Sequence, residues 1–194
     1  METSEIDMKR KRIYAREEYC VGCRLCEIHC ITAHSRYKDD IVKAFKKSAP
    51  RPLPRIIVEE SKPVSFGLQC RHCEEPECVK SCITGAMQKD PETGIVKNDE
   101  TRCIGCWTCI LACPYGVIRR DSRGKKIASK CDFCLEDGGE PACVKNCPNE
   151  AIYIADAGKP IKSGEAEEPG ETNQSGGSVE YEESGLREKG CEAR

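Results

Sequence analysis

Cysteine spacing constrains this chain more than any other feature. The chain has 194 residues and 17 cysteines, and sixteen of these fall into four groups of four. The first and third groups read C-x2-C-x2-C-x3-C, whereas the second and fourth have a longer gap between their second and third cysteines. In chain order the groups are Cys20, Cys23, Cys26 and Cys30; Cys70, Cys73, Cys78 and Cys82; Cys103, Cys106, Cys109 and Cys113; and Cys131, Cys134, Cys143 and Cys147. This repeated spacing indicates metal binding.

The chemistry that fits the spacing is that of cubane iron–sulfur clusters. Three thiolates on one tight loop can bind three irons, and the fourth thiolate comes from another part of the chain. The third group ends in Cys113-Pro114, as in the cysteine run of bacterial ferredoxins, and Pro148 follows the fourth group. Isoleucine follows the first and second groups instead, at Ile31 and Ile83. The sequence predicts four complete [4Fe–4S] clusters.

Three alternatives to this interpretation remain open. Zinc sites use two short cysteine arms, so three cysteines at x2-x2 spacing would leave a spare thiolate at each zinc. A secreted disulfide scaffold needs a signal segment, and the N-terminal residues contain no apolar run. A self-contained redox enzyme needs a substrate or nucleotide site, but the chain has neither dinucleotide nor P-loop glycine motifs.

The histidines and the location of the protein give simpler expectations. His29, His34 and His72 form no repeated pattern and are predicted to be ordinary polar residues. No stretch reaches the roughly 18 apolar residues of a membrane span. A cytoplasmic protein without a membrane span is therefore expected, because the reducing cytosol keeps thiols free for metal.

Short elements are predicted between the cysteine groups. β-prone segments lie at residues 12–14, 55–58, 94–97, 117–119, 126–128 and 151–154. The turn signal at Asp90-Pro91 predicts a hairpin that joins the residues near Met87 and Val96. Short helical turns are expected after the fourth cysteine of each group, and a helix within residues 35–48.

The C-terminal part of the chain has a different character. Residues 155–194 are rich in Gly, Glu and Ser without apolar periodicity, which predicts a disordered acidic tail. The remaining cysteine, Cys191, lies in this tail and is expected to be a free thiol.

Four stretches carry a resemblance to a known family. They read CVGCRLC at 20–26, CRHCEEPEC at 70–78, CIGCWTC at 103–109 and KCDFC at 130–134. In order and spacing they resemble the four-cluster iron–sulfur subunits that accompany molybdopterin oxidoreductases, over about residues 10 to 154. The opening Cys-Arg-Leu-Cys-Glu is most similar to the iron–sulfur protein paired with carbon monoxide dehydrogenase. Some family members have Trp in place of a third-group cysteine and bind a three-iron cluster; here Trp107 lies beside a complete set.

The resemblance implies an α+β fold of two pseudo-symmetric ferredoxin-like halves, built from short hairpins and short helices. Residues 1–30 and 114–154 would form the outer half, 70–113 the inner half, and 31–69 an insertion. Each half would bind two clusters, with each fourth cysteine serving the other group. The implied ligand sets are Cys20, Cys23, Cys26 with Cys147; Cys131, Cys134, Cys143 with Cys30; Cys70, Cys73, Cys78 with Cys113; and Cys103, Cys106, Cys109 with Cys82.

The resemblance also implies a function. The chain would relay single electrons between a catalytic partner, preferably carbon monoxide dehydrogenase, and a ferredoxin, flavoprotein or hydrogenase acceptor. An alternative is the electron-transfer subunit of a tungsten or molybdenum aldehyde or formate oxidoreductase, or of a hydrogenase. Because the residues contain no enzyme motif and no basic run with interleaved aromatics, we expect the chain to have no substrate site of its own and to bind no nucleic acid.

Removal of iron is expected to unfold the protein. The hydrophobic fraction is 38%, and without cysteine it falls to about 29%, which is low for a globular chain. The free energy of metal binding therefore supplies much of the free energy of folding. Circular dichroism of the completely iron-free chain should show no cooperative thermal transition, and reconstitution with iron and sulfide should restore one. A native-like melt of the iron-free chain would contradict this expectation.

Overall fold

The computed structural model describes residues 10–121 and 126–159. Its elements are short because cysteine loops, prolines and glycines interrupt the chain every few residues. The five α-helices are α1 Leu25–Ala33, α2 Ile41–Lys47, α3 Glu77–Lys80, α4 Thr108–Ala112 and α5 Ala142–Lys145. The eight strands are β1 Lys11–Ala15, β2 Ile56–Ser61, β3 Val64–Gln69, β4 Met87–Lys89, β5 Val96–Asn98, β6 Arg119–Asp121, β7 Ile127–Ser129 and β8 Ile152–Asp156.

The strands form four antiparallel pairs: β1 with β8, β2 with β3, β4 with β5, and β6 with β7. The predicted β4–β5 hairpin is confirmed, and the Asp90 carboxylate accepts hydrogen bonds from the backbone N–H groups of Glu92 and Thr93 in its turn. The first and last strands, β1 and β8, also pair, with Tyr14 opposite Tyr153. The fold is therefore α+β.

Most helices in the cysteine groups lie before the fourth cysteine, whereas the sequence predicted them after it. Each of α1, α3, α4 and α5 contains the third cysteine of its group. Helices α3, α4 and α5 end before the fourth cysteine, and α1 includes it. The prediction that helical turns follow the fourth cysteine is wrong for the second, third and fourth groups, where the x3 gap is itself one helical turn. In the first group α1 continues past Cys30 to Ala33.

Residues 31–69 contribute to the core. Within the predicted helix 35–48, only α2 is helical, and its first turn is capped by the Asp40 carboxylate, which accepts a hydrogen bond from the backbone N–H of Lys43. The β2–β3 hairpin was not fully predicted, and its residues Ile56 and Val58 are buried in the main core.

Two buried clusters form the core. The larger one joins aliphatic residues of β1, β2 and β8 to cysteines of the first, second and fourth groups. The smaller one surrounds Met87, Cys109, Ile118 and Ala128. Helix α1 contacts α5, and α3 contacts α4. The core thus brings different cysteine groups together.

Two expectations fall at the edge of the described residues. Strand β8 extends to Asp156, two residues into the predicted tail, while most of that tail, with Cys191, lies outside the described ranges. Over those same ranges, no helix has the length and apolar character needed to cross a membrane.

Candidate metal centre

All four cysteine groups share one backbone feature. The residue before the second cysteine of each group has a positive φ: 66° at Gly22, 45° at His72, 68° at Gly105 and 64° at Phe133. A left-handed residue at this position tightens the loop between the first two cysteines. The same local geometry is therefore repeated four times with four different sequences.

Gly105 has an additional steric requirement. A Cβ atom at this position would lie 2.2 Å from the carbonyl oxygen of Lys126. This contact places the third-group loop against the residue that precedes strand β7, which leads to the fourth group. Only glycine fits, because both the backbone angle and the available space exclude a side chain.

Two cavities are lined by cysteines from different groups. Cys82 of the second group lines one cavity together with Cys103, Cys106 and Cys109 of the third. Cys113 of the third group lines another cavity together with Cys70, Cys73 and Cys78 of the second. Each cavity is thus lined by four thiols, three from one group and one from the other.

Thiols of the first and fourth groups are also neighbours. Burial raises the pKa of Cys26 to about 12, and the nearby thiols of Cys147 and Cys23 contribute. Burial also raises the pKa of Cys143 well above its ordinary value, with contributions from Cys131, Cys30 and Cys134. The structure therefore brings Cys26 to Cys147, and Cys30 to the fourth group. Cys20, the first cysteine of the first group, is half-buried.

The thiols of all sixteen group cysteines are free, so the disulfide alternative is not realised. Burial raises the pKa of Cys78, Cys109 and Cys134 to about 11 each. Such thiols are protonated at neutral pH, whereas metal ligation requires thiolates. Loading these sites with metal must therefore release protons.

Backbone N–H groups point at several sulfurs. Arg55 donates to Sγ of Cys30 at 3.2 Å, and Met87 donates to Sγ of Cys82 at 3.4 Å. His72 donates to Sγ of Cys70 at 3.4 Å. Hydrogen bonds to ligand sulfur stabilise its negative charge, and this is one way in which proteins set cluster potentials.

The donor set and one orphaned polar atom fit an anionic iron–sulfur cluster. His72 is 1% exposed, and its Nδ1 accepts a hydrogen bond from the backbone N–H of Val96 at 3.0 Å. Nε2 then carries the proton and has no hydrogen-bond partner among the described residues. A buried donor without an acceptor is unfavourable, but a cluster beside Cys70 and Cys73 would offer sulfur acceptors. His72 is therefore more than the ordinary polar residue that the sequence predicted.

A second polar group was also missed by the sequence analysis. Asp132, inside the fourth group, forms ion pairs with His34 at 3.2 Å and with Arg55. Burial alone would raise the pKa of Asp132, but hydrogen bonds from His34 and Arg55 keep it well below its ordinary value. Burial lowers the pKa of His34, but the hydrogen bonds of His34 to Asp132 and Cys30 outweigh that effect and raise its pKa to about 9. Only the position of Asp132 between two cysteines could have signalled this.

Exposure distinguishes two cysteines from the rest. Cys23 of the first group and Cys106 of the third are exposed, whereas every other cysteine of the four groups is buried or half-buried. Val21 and Ile104, next to them in the same loops, are 67% and 65% exposed. Sulfur therefore reaches the surface in two groups.

Comparisons with known proteins agree with this chemistry. Residues 63–157 match the 4Fe-4S dicluster domain. The electron transport protein HydN of Escherichia coli K12 is 35% identical over 161 residues, which cover 76% of this chain and 89% of that protein. An iron-sulfur protein of Rhodospirillum rubrum is 35% identical over 159 residues, covering 74% and 81%. The thiosulfate reductase electron transfer subunit PhsB of Salmonella typhi is 35% identical over 145 residues, covering 70% of each chain.

Replacement of Gly105 by alanine tests the tight third-group loop, and Gly116→Ala is its matched control. Gly116 also has a positive φ, of 64°, but an added Cβ would meet nothing within 4 Å. Gly116→Ala should cost about 1 kcal/mol of stability through backbone strain alone, and Gly105→Ala about 2 kcal/mol more through the clash. Anaerobic urea unfolding followed by circular dichroism measures both. Equal unfolding midpoints would show that the close approach of Lys126 does not constrain the loop.

Proposed function

The chain belongs to the iron–sulfur electron-transport proteins that include HydN and contains a 4Fe-4S dicluster domain, and we propose that it holds four [4Fe–4S] clusters as an electron-transfer subunit. The dicluster match begins at residue 63, so the first cysteine group lies outside it. Four clusters are two more than the name of the matched domain describes. Once bound, these clusters supply one-electron chemistry.

The observation that carries the proposal is the grouping of thiols across motifs. In the two cysteine-lined cavities, each fourth cysteine accompanies the three cysteines of the other group. Among the outer groups, Cys26 has Cys147 as a neighbour, and Cys143 has Cys30. These neighbours support the exchange of fourth ligands in two pairs of groups and, with it, two ferredoxin-like halves.

Neighbouring thiols also support a linear order of the four sites. Cys143 of the fourth group lies near Cys26 of the first, and Cys131 of the fourth lies near Cys70 of the second. Cys109 of the third group has Cys78 of the second as a neighbour. The order along the protein is therefore first, fourth, second and third. The exposed Cys23 and Cys106 then lie in the two end groups, where partners can approach.

We propose that the chain serves a catalytic redox partner in the cytoplasm and has no substrate site of its own. Carbon monoxide dehydrogenase is the preferred partner, on the resemblance of the Cys-Arg-Leu-Cys-Glu opening. An aldehyde or formate oxidoreductase or a hydrogenase is the alternative, and the name of PhsB associates that relative with thiosulfate reductase. A ferredoxin, flavoprotein or hydrogenase would accept the electrons.

Iron and sulfide analysis tests the number of clusters. The anaerobically purified protein should contain about 16 iron and 16 sulfide per chain, with the electron paramagnetic resonance of reduced [4Fe–4S] clusters. Cys23→Ala and Cys106→Ala should each lose between one and about four iron, because each variant deletes one ligand of one cluster, which then either remains as a three-iron cluster or is lost. Cys191→Ala, outside the four groups, is the matched control and should lose none. About eight iron in the unaltered chain would limit it to two clusters and contradict the proposal.

Co-purification tests the partner. The tagged chain, purified without oxygen from its native host, should carry a partner that contains nickel together with excess iron and sulfide. Carbon monoxide should then bleach the visible absorbance of the iron–sulfur clusters, because its oxidation supplies electrons that reduce them. Molybdenum or tungsten in place of nickel would contradict the preferred partner and leave the electron-transfer assignment unchanged.

A further inference from the structure

Lys130 is a buried ammonium group without a carboxylate partner. Its side chain is 3% exposed, and Nζ donates hydrogen bonds to the carbonyl oxygens of Val96 and, at 2.7 Å, of Cys131. No ion pair among residues 10–121 and 126–159 includes Lys130. Lysine is almost never fully buried unless it is paired, and a buried charge without a counter-charge is costly. The surroundings of Lys130 therefore require a negative charge that the described side chains do not supply.

The thiols nearest to this charge belong to the second and fourth groups. Lys130 directly precedes Cys131 of the fourth group and donates a hydrogen bond to its carbonyl oxygen. Its other acceptor, the carbonyl of Val96, belongs to a residue that lines the cavity of the second-group thiols Cys70, Cys73 and Cys78. Cys70 and Cys131 are themselves neighbours. Lys130 thus lies where the two central groups meet.

A second buried cation lies beside the second group. Arg12 on β1 is 5% exposed and donates hydrogen bonds to the carbonyl oxygens of Lys11 and Gly94. Burial lowers the pKa of Arg12, whereas the charges of Glu74 and Cys70 raise it. Arg12 and Lys130 thus bind carbonyls two residues apart, at Gly94 and Val96, and the backbone N–H of Val96 donates to the buried His72.

The cations near the two end groups are different because they are exposed to solvent. Arg24 follows Cys23 of the first group and forms surface ion pairs with Glu27 and Glu60. Arg120 lies over the ring of Trp107, 4.8 Å from its centroid, and is exposed beside the third group. Water and salt screen such charges, whereas buried charges are screened much less. The two lysine and arginine side chains that are fully buried among the described residues, Lys130 and Arg12, therefore both lie beside the central groups.

We propose that the buried cations Lys130 and Arg12 raise the reduction potentials of the two central clusters, so that an electron entering the chain is held at its centre. This inference rests on the proposed function. A one-electron transfer from the catalytic partner oxidises that partner and adds one negative charge to the central site. A buried cation nearby attracts this added charge in a medium of low dielectric constant and stabilises the reduced state.

Substitution of Lys130 tests the inference through the midpoint potentials. Redox titration followed by electron paramagnetic resonance should show that Lys130→Gln lowers at least one midpoint potential by 59 mV, a tenfold change in the one-electron equilibrium. Lys130→Arg keeps the charge and should leave all midpoints as in the unaltered protein. Lys80→Gln is the matched control, because Lys80 lies on α3 in the second group but is exposed and paired with Glu75 and Glu77. It should change the equilibrium less than twofold.

The outcomes separate this inference from the proposed function. Full iron content in Lys130→Gln with unchanged midpoints would overturn the role of Lys130 and leave the four clusters in place. If Lys130→Gln does not load, Arg12→Gln decides, and unchanged midpoints in that variant overturn the inference. Loss of iron in Lys130→Arg as well would show a purely structural role. Fewer than four clusters in the unaltered chain would instead contradict the proposed function.

Discussion

The inward packing of cysteine side chains is the constraint on which the rest of the structure depends. In most small proteins, aliphatic side chains fill the centre. Here cysteines occupy a large part of both buried clusters, and the aliphatic residues of the paired strands surround them. This arrangement explains why the cysteine-bearing helices α1, α3, α4 and α5 are so short: each has only to position one or two thiols. It also explains why so low a hydrophobic content is compatible with a folded chain, since metal bonding adds to the free energy of folding.

Backbone conformation at the loops shows how different sequences reach one geometry. The first and third groups place glycine at the left-handed position, where it costs little. The second and fourth groups place His72 and Phe133 there, at a conformational cost. Both rings are buried, and they meet edge to face with centroids 6.2 Å apart. Burial of two large side chains against each other can offset that cost. Packing therefore joins the loops of the second and fourth groups, whereas the loops of the first and third groups use glycine.

Much of this could be predicted from spacing, and the exceptions have physical reasons. The cysteine groups and the Met87–Val96 hairpin followed from local patterns. Of the β2–β3 hairpin only β2 was predicted; β3 was missed because its pairing with β2, rather than a distinctive turn sequence, stabilises it. Lys130, His72 and Asp132 were missed because a polar residue in a cysteine loop looks the same in sequence whether its side chain faces solvent or the interior. Partner groups distant along the chain decide which occurs.

The pairing of β1 with β8 has a consequence for synthesis of the protein in the cell. Ile13 lies opposite Ile154, so the first strand has no partner until nearly the whole described part of the chain has been made. At about 5–20 residues per second, the ribosome takes roughly 7 to 30 s to cover that interval. During this time the edge of β1 and the thiols of the first group are open to solvent, oxygen and other chains. An order of events in which the middle of the chain acquires metal first, and the two ends close last, follows from the topology alone.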